Sequence, residues 1–335
     1  MIPSWQATYR LTLAALVLAT IVIGLGAYTR LADAGLGCPD WPGCYGFLLV
    51  PQDEAAIETA QARFPDAPVE QAKAWWEMIH RYVAGSLGLL IVGIAVSAWR
   101  HRTSGIPLKL PLLLVGMVIC QGAFGAWTVT LKLWPQVVTA HLLGGFTTLA
   151  LLWLLALRLG LGRDWHVPGG LRHHATAALL VVIAQIALGG WTSSNYAALA
   201  CHDFPGCQPD MIWPQMELAK GFDLTQAVGP SYLGGQLENA PRQTIHMVHR
   251  LGAVLVLLLV GSLAWRMQRQ SADLGFALAA LLGLQIALGI TNVVWVLPLL
   301  NATAHNLGGA ALLLALVAVN YRALNSAPRR MAVEL

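Results

Sequence analysis

Charged side chains are scarce in this chain. Asp, Glu, Lys and Arg together make up 11% of its 335 residues, whereas 57% are hydrophobic. A soluble domain usually has about 25% charged residues, because its surface must face water. The composition, with a mean hydropathy of +0.62, therefore excludes an ordinary soluble protein and favours one embedded in a lipid bilayer.

Other features are missing as well. No hydrophilic segment is long enough for a separate soluble domain, and no aromatic–basic module of the kind that binds nucleic acid is present. No small-residue cleavage site follows the first apolar run, so we interpret this run as a retained membrane helix and not as a signal peptide. No Arg- and Ser-rich transit peptide precedes it, which favours a bacterial plasma membrane over an organelle.

Eight long apolar runs are present, each near the roughly 20 residues that a membrane-spanning helix requires. They are too long and continuous for barrel strands, and a bilayer otherwise accepts only helices. We therefore predict an all-α integral membrane protein with eight transmembrane helices. The predicted spans are residues 11–30, 76–98, 110–130, 137–157, 175–194, 244–265, 274–297 and 302–321.

The Lys and Arg residues between these spans are distributed unequally, and such residues concentrate in cytoplasmic loops. One set of loops and termini carries Arg10, Arg100, Arg102, Lys109, Arg158, Arg163, Arg172, Arg266, Arg269, Arg322, Arg329 and Arg330. The other set carries Arg30, Arg63, Lys73, Lys132, Lys220 and Arg242. We therefore predict a multi-pass protein with both termini in the cytoplasm, and this asymmetry accounts for most of the net charge of +4.

One pattern occurs twice in the chain. GLGAYTRLADAGLGCPDWPGCYG at 24–46 and GGWTSSNYAALACHDFPGCQ at 189–208 align their cysteines at a shift of 163 residues. AHLLGG at 140–145 returns as AHNLGG at 304–309, and the dipeptide HR at 80–81 returns at 249–250. Such internal duplication is common in polytopic membrane proteins. We predict two tandem four-helix-bundle repeats, residues 1–165 and 166–335.

Two cysteine pairs lie in long loops on the predicted outer side, which is an oxidising compartment in bacteria. The pairs are Cys38/Cys44 and Cys201/Cys207. Their close spacing allows the Cα atoms to approach to the roughly 5.5 Å that a disulfide needs. One disulfide per loop is the favoured interpretation; free thiols or a metal site with His202 are the alternatives. Cys120, inside the third span, is expected to be a buried small residue.

Five of the ten histidines fall in or beside predicted spans, where an ionisable side chain is costly and indicates function. They are His80, His141, His246, His249 and His305. Four of them come from the second and fourth spans of each repeat, one to two turns below the outer surface. Two imidazoles facing each other across a bundle form a bis-histidine haem site, here His80/His141 and His249/His305. Ordinary packing roles are the alternative.

The two repeats differ beside these histidines. Glu77 lies three residues before His80 on the same helix face, and the matching residue of the second repeat is His246. A carboxylate beside a haem ligand can accept or donate a proton, so we expect the first repeat to be reactive and the second to hold a cofactor. The alternative is that Glu77 only pairs with an arginine. Arg81 and Arg250 are candidates to bind haem propionates.

Further polar residues have less specific assignments. Arg30 and Lys73 are additional candidates for haem propionates. Gln121 and Gln285 occupy matching positions inside the third and seventh spans, and we expect them to hydrogen-bond between helices. Residues 52–63 are predicted to form a short amphipathic helix on the outer surface.

The ordered combination TRLADAGLGCPDWPGC, WEMIHR, TAHLLGG, HMVHR and TAHNLGG resembles the heme A synthases of bacterial respiratory membranes, over roughly residues 10–322. The resemblance implies oxidation of the C8 methyl of heme O to a formyl group, by successive hydroxylations, to supply heme A to terminal oxidases. It implies that Glu77, His80 and His141 act on the substrate haem. It also implies that His249 and His305 bind a resident heme b, and that the outer cysteines form disulfides.

Two other functions fit parts of the pattern. A diheme transmembrane electron-transfer cytochrome would place its haems near opposite membrane faces, whereas all four ligand-type histidines lie towards the outer face. A haem-handling protein would bind haem without changing it and would give Glu77 no role. Heme O synthase is an expected partner, because the substrate is hydrophobic and reactive. The pattern identifies no electron acceptor and leaves a homo-oligomer open.

Overall fold

The computed structural model describes residues 5–104, 108–269 and 271–326, and within these ranges it contains helices and loops without a named strand. Eight helices are long and apolar enough to cross a membrane, which confirms the predicted fold class. The α-helices are α1 (Trp5–Leu31), α2 (Glu54–Arg63), α3 (Gln71–Arg100), α4 (Lys109–Thr130), α5 (Pro135–Arg158), α6 (Arg172–Ser194), α7 (Leu218–Gly221), α8 (Asn239–Gln268), α9 (Ala272–Val294) and α10 (Leu299–Asn325).

The short helix α2 confirms the amphipathic segment predicted at residues 52–63. Its N-terminus is capped by Asp53, whose side chain accepts a hydrogen bond from the backbone N–H of Ala56 at 2.9 Å. Such a cap satisfies a donor that the first helical turn leaves without a partner. The helix also carries Glu54 in its first turn and Arg63 in its last, both favourable to the helix dipole.

The seventh span ends earlier than its apolar run suggests. The run extends to residue 297, but α9 ends at Val294 because Val296 and Leu297 adopt positive φ angles of 56° and 57°. Left-handed residues of this kind terminate a helix. Lys132 and Leu133 adopt the same conformation after α4, with φ angles of 49° and 63°. The matching tight turns explain why both connections to the next helix are short.

The eight long helices pack in two equivalent sets. In the first, α3 packs against α1 and α4, and α4 packs against α5. In the second, α8 packs against α6 and α9, and α9 packs against α10. Helices α1, α5, α6 and α10 meet at the centre, where the two sets join. This arrangement is consistent with the predicted tandem four-helix repeats.

A polar contact joins α6 and α10, two helices of the second set, inside an otherwise apolar core. Asn320 of α10 is buried, and its side-chain amide donates to the backbone carbonyl of Ala175 on α6 at 2.9 Å. The hydroxyl of Thr176 donates to the amide oxygen of Asn320 at 3.0 Å. A hydrogen-bonded amide between helices stabilises a membrane bundle by about 0.6 to 2 kcal/mol.

The ends of the helices define two faces of the bundle. We call the face formed by loops 32–70 and 195–238 the cysteine side. A contact between these loops places both on one face, since the Tyr196 hydroxyl donates to Asp33 at 2.8 Å. The turn between α4 and α5 lies on the same face, where the Tyr232 N–H donates to the Lys132 carbonyl at 2.9 Å. The opposite face carries most of the basic residues counted above; Arg329 and Arg330 lie outside the described residues.

The expectation for Cys120 was wrong. Its side chain is exposed on α4 and is not part of the core. Helix α4 lies at the edge of the bundle, where it contacts α3 and α5, and few of its residues are buried. A membrane helix can be apolar on its outward face as well as its inward face, so hydrophobicity alone does not distinguish the two.

Candidate haem-binding site

Both cysteine pairs form disulfides, which confirms the favoured interpretation. The Cα atoms of Cys38 and Cys44 are 4.8 Å apart, and those of Cys201 and Cys207 are 4.2 Å apart. All four side chains are completely buried, each under its own loop on the cysteine side. The described residues contain no group of three or more His, Cys, Asp or Glu placed to hold a metal ion.

An arginine from the adjoining helix anchors each disulfide loop. Arg81 of α3 and Arg250 of α8 donate their terminal N–H groups to backbone carbonyls of the loop. Arg81 donates to the carbonyls of Asp40 and Gly43, at 3.0 and 2.6 Å. Arg250 donates to the matching carbonyls of Asp203 and Gly206, at 2.9 and 2.6 Å. Since these donors are already engaged by the loops, binding of haem propionates by either arginine stays a prediction.

A buried carboxylate distinguishes the first loop from the second. Glu77 is 4% exposed, and one of its oxygens accepts the N–H of Cys38 at 2.9 Å. The other oxygen is paired with the guanidinium of Arg81, so the predicted arginine partner is present. His246, also 4% exposed, occupies the matching place in the second half, where its Nδ1 accepts the N–H of Cys201 at 3.3 Å. The loops are alike, but their buried partners differ in charge and chemistry.

The four ligand-type histidines all lie in the halves of their helices that are nearer the cysteine side. His141 and His305 are each six residues after the start of α5 and α10, about 9 Å along the helix axis. His80 and His249 lie nine and ten residues after the start of the longer helices α3 and α8, about 14 to 15 Å along the helix axis. Within each half the two rings are near enough to interact electrostatically. The structure thus brings together the pairs that the repeat pattern predicts.

Each of these imidazole rings lies against a glycine on the preceding long helix. A Cβ atom at Gly26 would be 2.9 Å from Cε1 of His80, which is closer than such atoms approach. At the other three glycines, the distance from such a Cβ atom to Cε1 of the histidine would be 3.6 Å for Gly125 and His141, 3.4 Å for Gly189 and His249, and 3.1 Å for Gly289 and His305. The sequence interpretation did not identify these glycines. Their signal is a G that recurs at matching places in the first, third, fifth and seventh spans.

The donor chemistry of these histidines fits haem iron. Neutral imidazole nitrogens in an apolar bundle are common axial ligands. The Nδ1 atoms of His80, His141 and His305 are buried without a hydrogen-bond partner. The backbone carbonyls of Val22 and Gln285, four residues before two of the glycines, face the rings of His80 and His305. A carbonyl beside a histidine ring helps to fix the orientation in which the ring is presented to a metal.

Gln185 is a second residue that sequence reasoning missed. Its side-chain nitrogen lies 3.2 Å from Nδ1 of His249 and donates to the backbone carbonyl of the same histidine at 2.9 Å. Of the glutamines that were singled out, Gln285 lies 3.5 Å from Nε2 of His305, as expected for a contact between helices. For Gln121 the structure places the amide against Gly144. The pentapeptide QIALG, present at both 185–189 and 285–289, is the signal for Gln185.

Arg30 and Lys73 occupy other places on the cysteine side. Arg30 donates to the carbonyl of Ser193 at 2.5 Å and lies over the ring of Tyr196, 4.1 Å from its centroid, so it links the two halves. Lys73 pairs with Glu70 at 2.8 Å on the surface. Their predicted contact with haem propionates stays a prediction.

A groove of about 780 Å³ is separate from this site. It lies between α5, α6 and α10, and residues such as Leu143, Ile183 and Val317 line it, with Arg158 near the basic face. No histidine is among the described residues that line the groove. The groove therefore has no part in the candidate haem site.

The fold and the site define a polytopic membrane protein with two buried histidine pairs under two disulfide loops. Residues 9–317 match the family model COX15-CtaA, described as cytochrome oxidase assembly protein. Similar proteins include the heme A synthase of Shewanella oneidensis, 49% identical over 91% of this chain and 93% of the relative. The heme A synthases of Sphingopyxis alaskensis and Allorhizobium ampelinum are 31% and 30% identical, over 95% and 93% of this chain and 91% and 89% of theirs. The chain belongs to the COX15-CtaA family.

Proposed function

We propose that this protein is a haem-dependent oxidoreductase that converts heme O to heme A. The relatives named heme A synthase span nearly the whole chain, at up to 49% identity. The paired histidines supply ligands for two haems, and the buried carboxylate beside one pair supplies a group for proton transfer. This last observation, Glu77 in the first half where the second half has His246, supports the proposal most strongly.

The two halves have different roles in this proposal. His80 and His141 hold the substrate heme O, and His249 and His305 hold a resident heme b. The first half is the reactive one, because Glu77 lies one helical turn from His80 and is buried, so its carboxylate is shielded from bulk water. The second half offers no carboxylate at the matching place.

The proposed reaction requires proton acceptors as well as an electron acceptor. Oxidation of a methyl to a formyl group, with the oxygen atom counted as coming from water, releases four electrons and four protons in two equal steps. The electrons leave this chain for a membrane electron acceptor. A resident haem supplies one-electron transfer chemistry. The Glu77 carboxylate accepts a proton from the substrate side, and Arg81 and the Cys38 N–H fix the orientation of that carboxylate. The small residue Gly26 lets the His80 ring lie flush with α1.

The setting of the reaction follows from the same proposal. The protein spans the bacterial plasma membrane several times, with both termini in the cytoplasm and the cysteine side facing outward, where disulfides persist. Heme O synthase supplies the substrate, because heme O is too hydrophobic to diffuse through water.

The proposal is tested by extracting haems from membranes that express this chain together with a heme O synthase, followed by chromatography and mass analysis. We expect heme A with the wild-type chain and its loss in Glu77→Gln at equal protein level. Glu70→Gln is the matched control, since this carboxylate lies near the start of the same helix but is solvent-exposed. Only heme B and heme O from a folded, haem-loaded wild type would instead support an electron-transfer or haem-handling protein.

A further inference from the structure

A motif recurs in four hairpins of long helices, more often than the two-fold repeat requires. The first helix of each hairpin carries a residue followed four positions later by glycine: VIGLG at 22–26, QGAFG at 121–125, QIALG at 185–189 and QIALG at 285–289. The second helix carries histidine followed three positions later by a further matching residue: HRYV at 80–83, HLLG at 141–144, HRLG at 249–252 and HNLG at 305–308. Three hairpins thus have a Gln and a Gly, and the first has two valines.

In the structure, the glutamine and the second glycine form one packing unit. A Cβ atom at Gly252 would overlap the side-chain oxygen of Gln185, and one at Gly308 would overlap that of Gln285. The missing side chain therefore leaves the space in which the amide lies. Because glycine costs about 1 kcal/mol in a helix interior relative to alanine, its presence here indicates a packing requirement.

In the second half, these amides contact the imidazole rings directly. The Gln185 nitrogen lies 3.2 and 3.5 Å from the two ring nitrogens of His249, and the Gln285 nitrogen lies 3.5 Å from Nε2 of His305. Gln185 is also tied to the main chain of His249 through its carbonyl. The amide and the ring that it touches are thereby fixed relative to each other.

In the first half, the rings lack this contact. Val22 and Val83 stand at the places of Gln185 and Gly252, so no amide is available beside His80. Gln121 packs against Gly144, but among the described residues no side chain hydrogen-bonds to the ring of His80 or His141. The difference between halves thus extends beyond Glu77 to the partners of all four rings.

We infer that Gln185 and Gln285 are positioning residues, whose amides limit the rotation of the rings of the resident-haem ligands His249 and His305, whereas no side-chain amide hydrogen-bonds to the rings of His80 and His141 among the described residues. This inference rests on the proposed haem sites. A cofactor that must stay bound benefits from ligands oriented in advance, since less freedom is lost on coordination. A substrate that must enter and leave benefits from ligands that are held by fewer side-chain contacts.

The inference is tested on the purified, haem-loaded protein with Gln185→Met and Gln285→Met, which conserve volume but remove the amide. The low-spin ferric EPR spectrum reports the relative orientation of two axial imidazole planes, so we expect a shifted or broadened highest g value for the resident haem. We also expect about tenfold faster transfer of that haem to excess apomyoglobin, a change that corresponds to the net free energy of about one hydrogen bond. Gly252→Ala, which displaces the amide without removing it, should change the spectrum in the same direction.

Gln121→Met is the matched control, because this glutamine packs on a glycine without a hydrogen bond to a histidine ring. It should leave the EPR signal and the retention of the resident haem unchanged. If Gln185→Met and Gln285→Met retain haem with the wild-type spectrum and loss rate, the positioning role is wrong and the haem sites stand. If the wild-type protein holds no haem on His249 and His305, the proposed function itself fails.

Discussion

Replacing Arg81 by glutamine removes the ionic partner of a buried carboxylate. Glu77 is 4% exposed and Arg81 has 12% of its side chain exposed, so water cannot solvate the carboxylate in place of the guanidinium. Arg250→Gln is the matched change, since Arg250 makes the same contacts with its disulfide loop but has a histidine, not an acid, as its neighbour. The comparison of the two variants isolates the buried ion pair from the anchoring of the loop.

The magnitude follows from these contacts. Both variants lose hydrogen bonds from a charged donor to carbonyls, each worth about 1.5–3 kcal/mol. Only Arg81→Gln also leaves a buried charge unpaired, which costs about 3–5 kcal/mol, partly offset by the remaining Cys38 N–H. We therefore expect Arg81→Gln to lower the free energy of unfolding by about 3 kcal/mol more than Arg250→Gln.

Reversible unfolding in mixed micelles of SDS and a mild detergent measures these differences. Glu77→Gln in the Arg81→Gln background should restore most of the additional loss, because it removes the unpaired charge. Equal destabilisation by Arg81→Gln and Arg250→Gln, or additive effects of Arg81→Gln and Glu77→Gln, would refute the reasoning.

Three further predictions concern other parts of the molecule. Burial, together with the charge of Glu70, raises the pKa of Tyr45 to about 12. The difference in tyrosinate absorbance between wild type and Tyr45→Phe should therefore appear near pH 12 and not near pH 10. The contribution of Tyr45 to the free energy of unfolding is complete below pH 10 and is lost as the pH rises towards 12. Gly26→Ala should displace the His80 ring and reduce heme A formation at least tenfold, whereas Gly85→Ala, with open space around it, should leave the extracted haems as in the wild type. Asn320→Leu should lower the free energy of unfolding by about 1 kcal/mol, and an unchanged value would mean that its hydrogen bonds to α6 do not stabilise the bundle.

The fold could be predicted from the sequence because the bilayer allows few solutions. A run of about 20 apolar residues has to become a helix there, and eight such runs define the number of spans. Helix ends were less predictable, since the positive φ angles of Val296 and Leu297 end α9 inside an apolar run. The outward position of Cys120 was not predictable either, because lipid and core are both apolar environments.

The candidate site could be predicted in its residue types but not in its contacts. The repeat pattern identified His80, His141, His249 and His305, and the structure pairs them within each half. It did not indicate that Arg81 would bind loop carbonyls, because such contacts depend on the path of the loop. Gln185 was missed because its match in the first half is a valine, so a comparison of the two halves alone conceals it; comparison of all four hairpins would have found it.

The assignment of the substrate haem to the first half and the resident heme b to the second is tested most directly by identifying the haems that purified variants retain and produce. The variants are His80→Ala/His141→Ala and His249→Ala/His305→Ala, each co-expressed with a heme O synthase and analysed by extraction and mass spectrometry. We predict that the first variant keeps heme B but forms no heme A, and that the second loses its heme B. Heme A formed by the first variant, or heme B retained by the second and lost by the first, would contradict the assignment of the reactive and cofactor halves.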